Sequence, residues 1–259
     1  MNKSLLIAAL IGTAFFFSCN KTEVYPTWPL SDYNLQTPGK YITYQLDSLL
    51  FTNFGTQQTY VYYYAKDSVD TVMVTDNLGN PAYRIFHYIS QSPTGPWQPN
   101  NTYLTIPLGS SVQFVQDNMR FIKLHEPIVN GYNWKGNAYL DTYQQTTAIP
   151  GIADFDLTYL DDWDYTYSNV NQPLTLGNIT IDSTITVTEQ NNTPGVGPVT
   201  GDTSSADAFS QISFAVEQYG KGIGLVYRNF LYKQYQPPTP TTGGYYIGYG
   251  VTMTMIDHN

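Results

Sequence analysis

Five aspartates, Asp154, Asp156, Asp161, Asp162 and Asp164, fall within eleven residues around Trp163. Converging carboxylates can hold calcium, and two at a set separation can hydrolyse a glycosidic bond. The spacing matches no calcium loop, and the glycine such a loop needs at its sharp turn is missing. Solvated loop carboxylates are the plainer reading, since Asp is seldom buried unpaired. The three histidines, His87, His125 and His258, lie in separate segments with no His-x-x-x-His pair. Each reads as a structural or exposed histidine, because zinc needs further ligands at matching spacing. There is no Gly-x-Ser-x-Gly elbow and no His-Glu-x-x-His pair. Gly220, Gly222 and Gly224 have the look of a nucleotide fingerprint, but Tyr227 stands where the third glycine belongs. The residues after them alternate as a strand does, whereas the fingerprint opens a helix. No catalytic residue, metal site or cofactor is assigned. Trp97, Trp134 and Trp163 lie near turns among tyrosines; they could stack on sugar rings, although large aromatics more often pack inside.

Cys19 is the one cysteine in the chain, so no internal disulfide can form and the thiol needs another explanation. Lys3 supplies a positive charge, residues 5 to 17 form an apolar run, and Ser18 precedes the cysteine. The run is shorter than the ~20 residues a spanning helix needs, and it suits the middle of an export signal. The Phe16-Phe17-Ser18-Cys19 stretch resembles the lipobox of bacterial lipoproteins. That resemblance implies removal of residues 1–18, acylation of Cys19 and attachment to a membrane outside the cytoplasm. No later apolar run reaches spanning length, so the lipid on Cys19 is the expected anchor.

The elements that must position any site are strands. The chain of 259 residues contains 24 tyrosines, only 12% of its residues are charged, and its formal net charge is −9. Tyr, Thr and Val favour strands, and the acidic balance disfavours nucleic acid. In the run from Ile179 to Thr188 the odd positions are apolar apart from Ser183 and the even positions are Thr or Asp, which predicts a strand with one buried and one wet face. The run from Tyr245 to Ile256 alternates too. Asp76-Asn77-Leu78-Gly79-Asn80 reads as a turn between two strands. Gly220-Lys221-Gly222 reads as a hairpin turn, with a short helix over residues 206 to 219 as the alternative. Residues 19–38, with Pro26, Pro29 and Pro38 and no period, read as a flexible tether, followed by one extracytoplasmic domain over 39–259. The fold expected is all-β and mostly antiparallel, as a curved half-barrel sheet or a β-sandwich.

The chain resembles uncharacterised cell-envelope lipoproteins of Bacteroidota. The resemblance rests on Ser18-Cys19 with its polar tether, on the Tyr- and Thr-rich strands, on Trp134-Lys135-Gly136-Asn137, and on the stretch from Tyr219 to Tyr227. These motifs bring no catalytic residues. Some such proteins look similar to the curved half-barrels of periplasmic lipoprotein carriers. Asn20 after the cysteine, where an aspartate would argue for inner-membrane retention, favours the outer membrane, and Lys21-Thr22-Glu23 is a poor match to the acidic run of surface-exposed lipoproteins of this group, so the periplasmic side is expected, with surface exposure as the alternative. The function expected is non-catalytic binding of a hydrophobic ligand or an envelope partner. A surface glycan-binding module and a hydrolase built on the Asp154–Asp164 cluster are the alternatives.

Overall fold

A computed structural model describes residues 28–140, 163–192 and 210–259. The chain forms β1 (Tyr41–Thr52), β2 (Gln57–Thr75), β3 (Pro81–Ser90), β4 (Gln98–Leu108), β5 (Ser111–Gln116) and β6 (Met119–His125). It continues as β7 (Asn133–Lys135), β8 (Asp164–Leu176), β9 (Ile179–Asn192), β10 (Ser210–Gly220), β11 (Gly224–Gln236) and β12 (Tyr245–His258). All twelve lie in one sheet in the order β6-β5-β4-β3-β2-β1-β12-β11-β10-β9-β8-β7, nearly closed into a barrel. The fold is therefore all-β and antiparallel. Of residues 206–219, for which a short helix is the alternative, those described, 210–219, lie in strand β10. Asp76 makes the β2–β3 turn, its Oδ1 accepting from the backbone N–H of Leu78 at 2.9 Å and of Asn80 at 2.7 Å.

Each strand pairs with its neighbour in sequence except β6 with β7, and β12 returns to pair with β1 from Ile42↔His258 to Leu50↔Tyr249. The two sheet edges are thus β6 and β7, which follow one another in the chain. Unpaired edges invite foreign strands, and here they are drawn together instead. The Ile122 N–H donates to the Gly136 carbonyl at 2.7 Å, and the Trp134 indole donates to the Ile122 carbonyl at 2.8 Å. On the far side of β7, the Tyr165 hydroxyl donates to Asn137 Oδ1 at 2.9 Å. The Trp134-Lys135-Gly136-Asn137 stretch is therefore the latch of the barrel.

Apolar residues face inward. Ile42, Tyr44, Ala65, Ile85, Ile185 and Val187 are all buried, while Gln45 on β1 is exposed and Lys66 on β2 is half-exposed. A transmembrane barrel carries the opposite pattern, with an apolar band on the outside. Among the described residues, no helix is long and apolar enough to cross a membrane.

One end of the barrel is crossed by the segment before β1, which contains a 3-10 turn at Leu30–Asp32. Part of the stretch read as a tether is thereby packed: Tyr33 is fully buried and Leu30 nearly so. On one side, the Gly222 N–H donates to the Asp32 carbonyl at 2.6 Å, Lys221 pairs with Asp32 at 3.3 Å, and the Tyr33 hydroxyl lies 3.1 Å from that of Ser183. On the other side, Thr105 Oγ1 donates to Asn34 Oδ1 at 2.8 Å. Thr105 lies on β4 and Gly222 in the β10–β11 turn, five to six places apart in an order of twelve. The segment therefore spans the diameter as a plug. Its apolar residues sit singly among polar ones and Pro29, so no period marks it as folded.

Candidate functional site: a cavity inside the barrel

Above the plug the interior is not filled. A cavity of about 220 Å³ remains, floored by Asn34 and Leu35 of the plug. Leu46, Ile85, Phe114, Val251 and Met253 give it an apolar wall. They reach it because strand residues two apart share a face. Register ties them into level rows. Glu217 is opposite Arg228, Arg228 opposite Met253, and Met253 opposite Leu46.

Two polar groups interrupt the wall. The first is centred on Asp67, which is buried at 3% exposure. Its Oδ1 lies 2.6 Å from His87 Nδ1, its cross-strand partner, and its Oδ2 accepts from the Tyr103 hydroxyl at 2.5 Å. Burial, and then the nearby Asp67 charge, push the Tyr103 phenol well above its ordinary range. Tyr103 therefore acts as a donor.

The second group joins four strands. Glu217 Oε1 accepts from Lys123 Nζ at 3.0 Å and from Arg228 Nε at 2.8 Å, and its Oε2 accepts from the Tyr219 hydroxyl. Lys123 also donates to Glu189. Burial favours the neutral acid in both glutamates, and the outcomes diverge. For Glu217 the adjoining Lys123 and Arg228 charges overcome burial and hold the carboxyl well below the usual range. For Glu189 burial, reinforced by the Glu217 charge, wins over Lys123, and the carboxyl is pushed up to about 7. The pair thus keeps one carboxylate firmly ionised and one poised near neutrality. Lys123 reaches the interior beside Leu124, where a register shift between Val112 and Gln113 breaks the β5–β6 alternation.

The residues singled out from sequence fall elsewhere. Cys19, Asp154, Asp156, Asp161 and Asp162 lie outside the described residues. Asp164 is exposed at the start of β8 and pairs with Lys135 at 3.2 Å. Trp163 and Trp134 are each 7% exposed and belong to the core rather than to a platform; Trp97 is half-buried. His125 stacks on Tyr132, with ring centroids 5.7 Å apart, beside the latch. His87 has a buried partner and a cavity before it, which its strand context did not announce. Among the described residues, no group of three or more His, Cys, Asp and Glu could hold a metal.

The signal that could have found Asp67, Glu189 and Glu217 is parity. Asp67 alternates with Ala65 and Val69, Glu189 with Ile185 and Val187, and Glu217 with Ala215 and Tyr219. A charge on the apolar parity of a strand is a buried charge that requires partners. No protein-family model matches the chain, and neither does any curated protein or solved structure.

Proposed function

We propose that this protein is a lipid-anchored envelope lipoprotein that holds a small, largely apolar ligand inside its barrel without transforming it. The observation that carries the reading is the unfilled, mostly apolar cavity with a few convergent polar groups, the usual form of a small-molecule site. A core built for stability alone would be filled to crystal-like density. The buried charges bear on the same point. Groups so costly to bury sit around this space, where they orient a guest as well as one another. The anchor part of the reading rests on the sequence at Ser18-Cys19 and its preceding apolar run.

The test is a titration of the purified protein with N-phenyl-1-naphthylamine, an uncharged apolar fluorophore that brightens when it leaves water. One saturable site is expected, and Leu46→Trp, which fills the cavity, should abolish it. Absence of saturable binding, or binding untouched by Leu46→Trp, contradicts the reading.

Of the three tryptophans on which the glycan alternative rests, Trp134 and Trp163 are in the core and Trp97 is half-buried. No observation favours it over the cavity.

A further inference from the structure

β2 and β3 differ in length, nineteen residues against ten, and the difference leaves part of β2 with a neighbour on one side only. Toward β1 it is paired from Thr52↔Gln57 onward. Toward β3 the pairing stops at Tyr64↔Ser90, where β3 ends. Residues 57–63 are therefore a third edge, in a sheet whose other two edges meet at the latch. Every second residue of this stretch turns its N–H and C=O away from β1. Among the described residues, no backbone group bonds to them there.

Natural sheets blunt such edges with lysine, proline, a bulge or a covering segment. Among the described residues this edge has none of them. It reads Gln-Gln-Thr-Tyr-Val-Tyr-Tyr, without proline or charge. Its register with β1 is unbroken, so no bulge turns it aside. It is also uncovered, with Tyr60 57% and Tyr62 62% exposed. Charge is absent well beyond the edge, from Ser48 to Ala65, between Asp47 and Lys66.

We infer that two copies of this chain associate through residues 57–63, strand against strand and antiparallel about a two-fold axis near Tyr60. What fits a bare edge is another extended strand with a bare edge of its own. The same strand of a second copy is already extended and held by β1, so it loses little freedom on docking. A disordered peptide would have to be ordered first. The absence of charge also selects the identical partner. A foreign strand can complement a charge, but a charge near a two-fold axis meets its own copy, and like charges directly opposite are destabilising. Gln, Thr, Tyr and Val bring no such conflict, and aromatic cross-strand neighbours add stability. None of residues 57–63 lines the cavity, so the pairing stands apart from the ligand reading.

The experiment is sedimentation equilibrium of the purified protein in density-matched detergent over a range of concentrations. The native protein is expected at the mass of two chains. Tyr60→Lys combined with Tyr62→Lys changes two exposed side chains and sets like charges across the axis. That variant is expected at the mass of one chain, with its circular dichroism and its binding of N-phenyl-1-naphthylamine unchanged. A native protein that stays at one chain at every concentration, or a folded variant that stays at two, overturns the proposal. Amide exchange on the native protein decides without any variant. Alternate amides within residues 57–63 should be protected at high concentration and released on dilution, and free exchange at every concentration overturns the edge pairing.

Discussion

The Trp134 indole N–H is hydrogen-bonded at 2.8 Å to the carbonyl of Ile122, across the one junction in the sheet that the strand ladders do not close. The ring also lies 4.6 Å from that of Tyr167, whose hydroxyl accepts from the His125 N–H at 2.9 Å. Side-chain donors and aromatic packing thus do at the seam what a ladder does elsewhere. Trp134→Phe keeps the packing and deletes the donor. It should lower unfolding free energy by about 1 kcal/mol and raise amide exchange at Ile122 and Leu124 selectively. Denaturant titration and hydrogen exchange resolved by residue check both.

Gly136→Ala tests the same junction by crowding. A Cβ there would lie 2.5 Å from the Tyr165 ring carbons, well inside contact. The tyrosine is fully buried and held to Asn137, so it cannot step aside cheaply. A loss of about 1–3 kcal/mol is expected, the usual cost of overpacking, measured as a drop in denaturation midpoint.

Glu217 holds Lys123 and Arg228 together from the middle of the interior. Glu217→Gln removes the shared charge and leaves two buried cations facing one reluctant acid, Glu189. Breaking a buried pair this way costs about 3–5 kcal/mol, so the variant should be severely destabilised. Glu217→Gln with Lys123→Met should recover part of the loss, since it removes the stranded cation as well. A double-mutant cycle on unfolding free energies measures that recovery.

Stability should pass through a maximum in mildly acid solution. Glu189 is raised to about 7 from the usual glutamate value, so the fold binds its proton more tightly than the unfolded chain. Its contribution is complete below that usual value and fades as pH rises through about 7. Glu217 is lowered, so its contribution is present above the usual glutamate value and fades as pH falls below it. The groups facing Glu189 are Lys123, Glu217, Arg228, Tyr165 and Tyr219. Glu189→Gln should flatten the neutral limb, worth of order 1–3 kcal/mol, and spare the acid limb. Urea titrations across pH 4 to 8 check the shape.

The plug depends on Gly224, which has a φ of +115° and faces Leu35 so closely that a Cβ would lie 2.9 Å from the leucine's own. Gly224→Ala therefore strains the backbone and pushes on the cavity floor. Lower thermal stability and weaker fluorophore binding should appear together. If the plug were peripheral, binding would be unchanged.

The strands were legible because Tyr, Thr, Ile and Val alternate over long stretches. Asp76 and the Gly220–Gly224 turn were legible because each has its own local chemistry. The site was not. Lys123, Glu189, Glu217 and Arg228 come from β6, β9, β10 and β11, and no local window contains more than two of them. The carboxylates that stood out in the sequence did so by crowding, whereas Asp67 in the cavity wall and Glu189 and Glu217 behind it are isolated and matter through burial. The plug was hidden for a related reason. Tyr33 and Asn34 make their contacts with Ser183 and Thr105, 150 and 71 residues away.

The proposed lipid anchor predicts that Cys19→Ala abolishes incorporation of a palmitate label and leaves the unprocessed chain, with the barrel still folded. Palmitate labelling followed by gel mobility checks this, and a labelled variant would refute the anchor.

The central claim is that the barrel interior receives a ligand. The most direct measurement is methyl NMR of protein labelled at methionine, titrated with N-phenyl-1-naphthylamine. Met253 lines the cavity, while Met73 is half-exposed on the outside of the barrel. The Met253 methyl should shift saturably and show Overhauser contacts to the ligand's rings, and Met73 should stay still. Shifts confined to Met73, or none at Met253 at saturating ligand, would contradict the account.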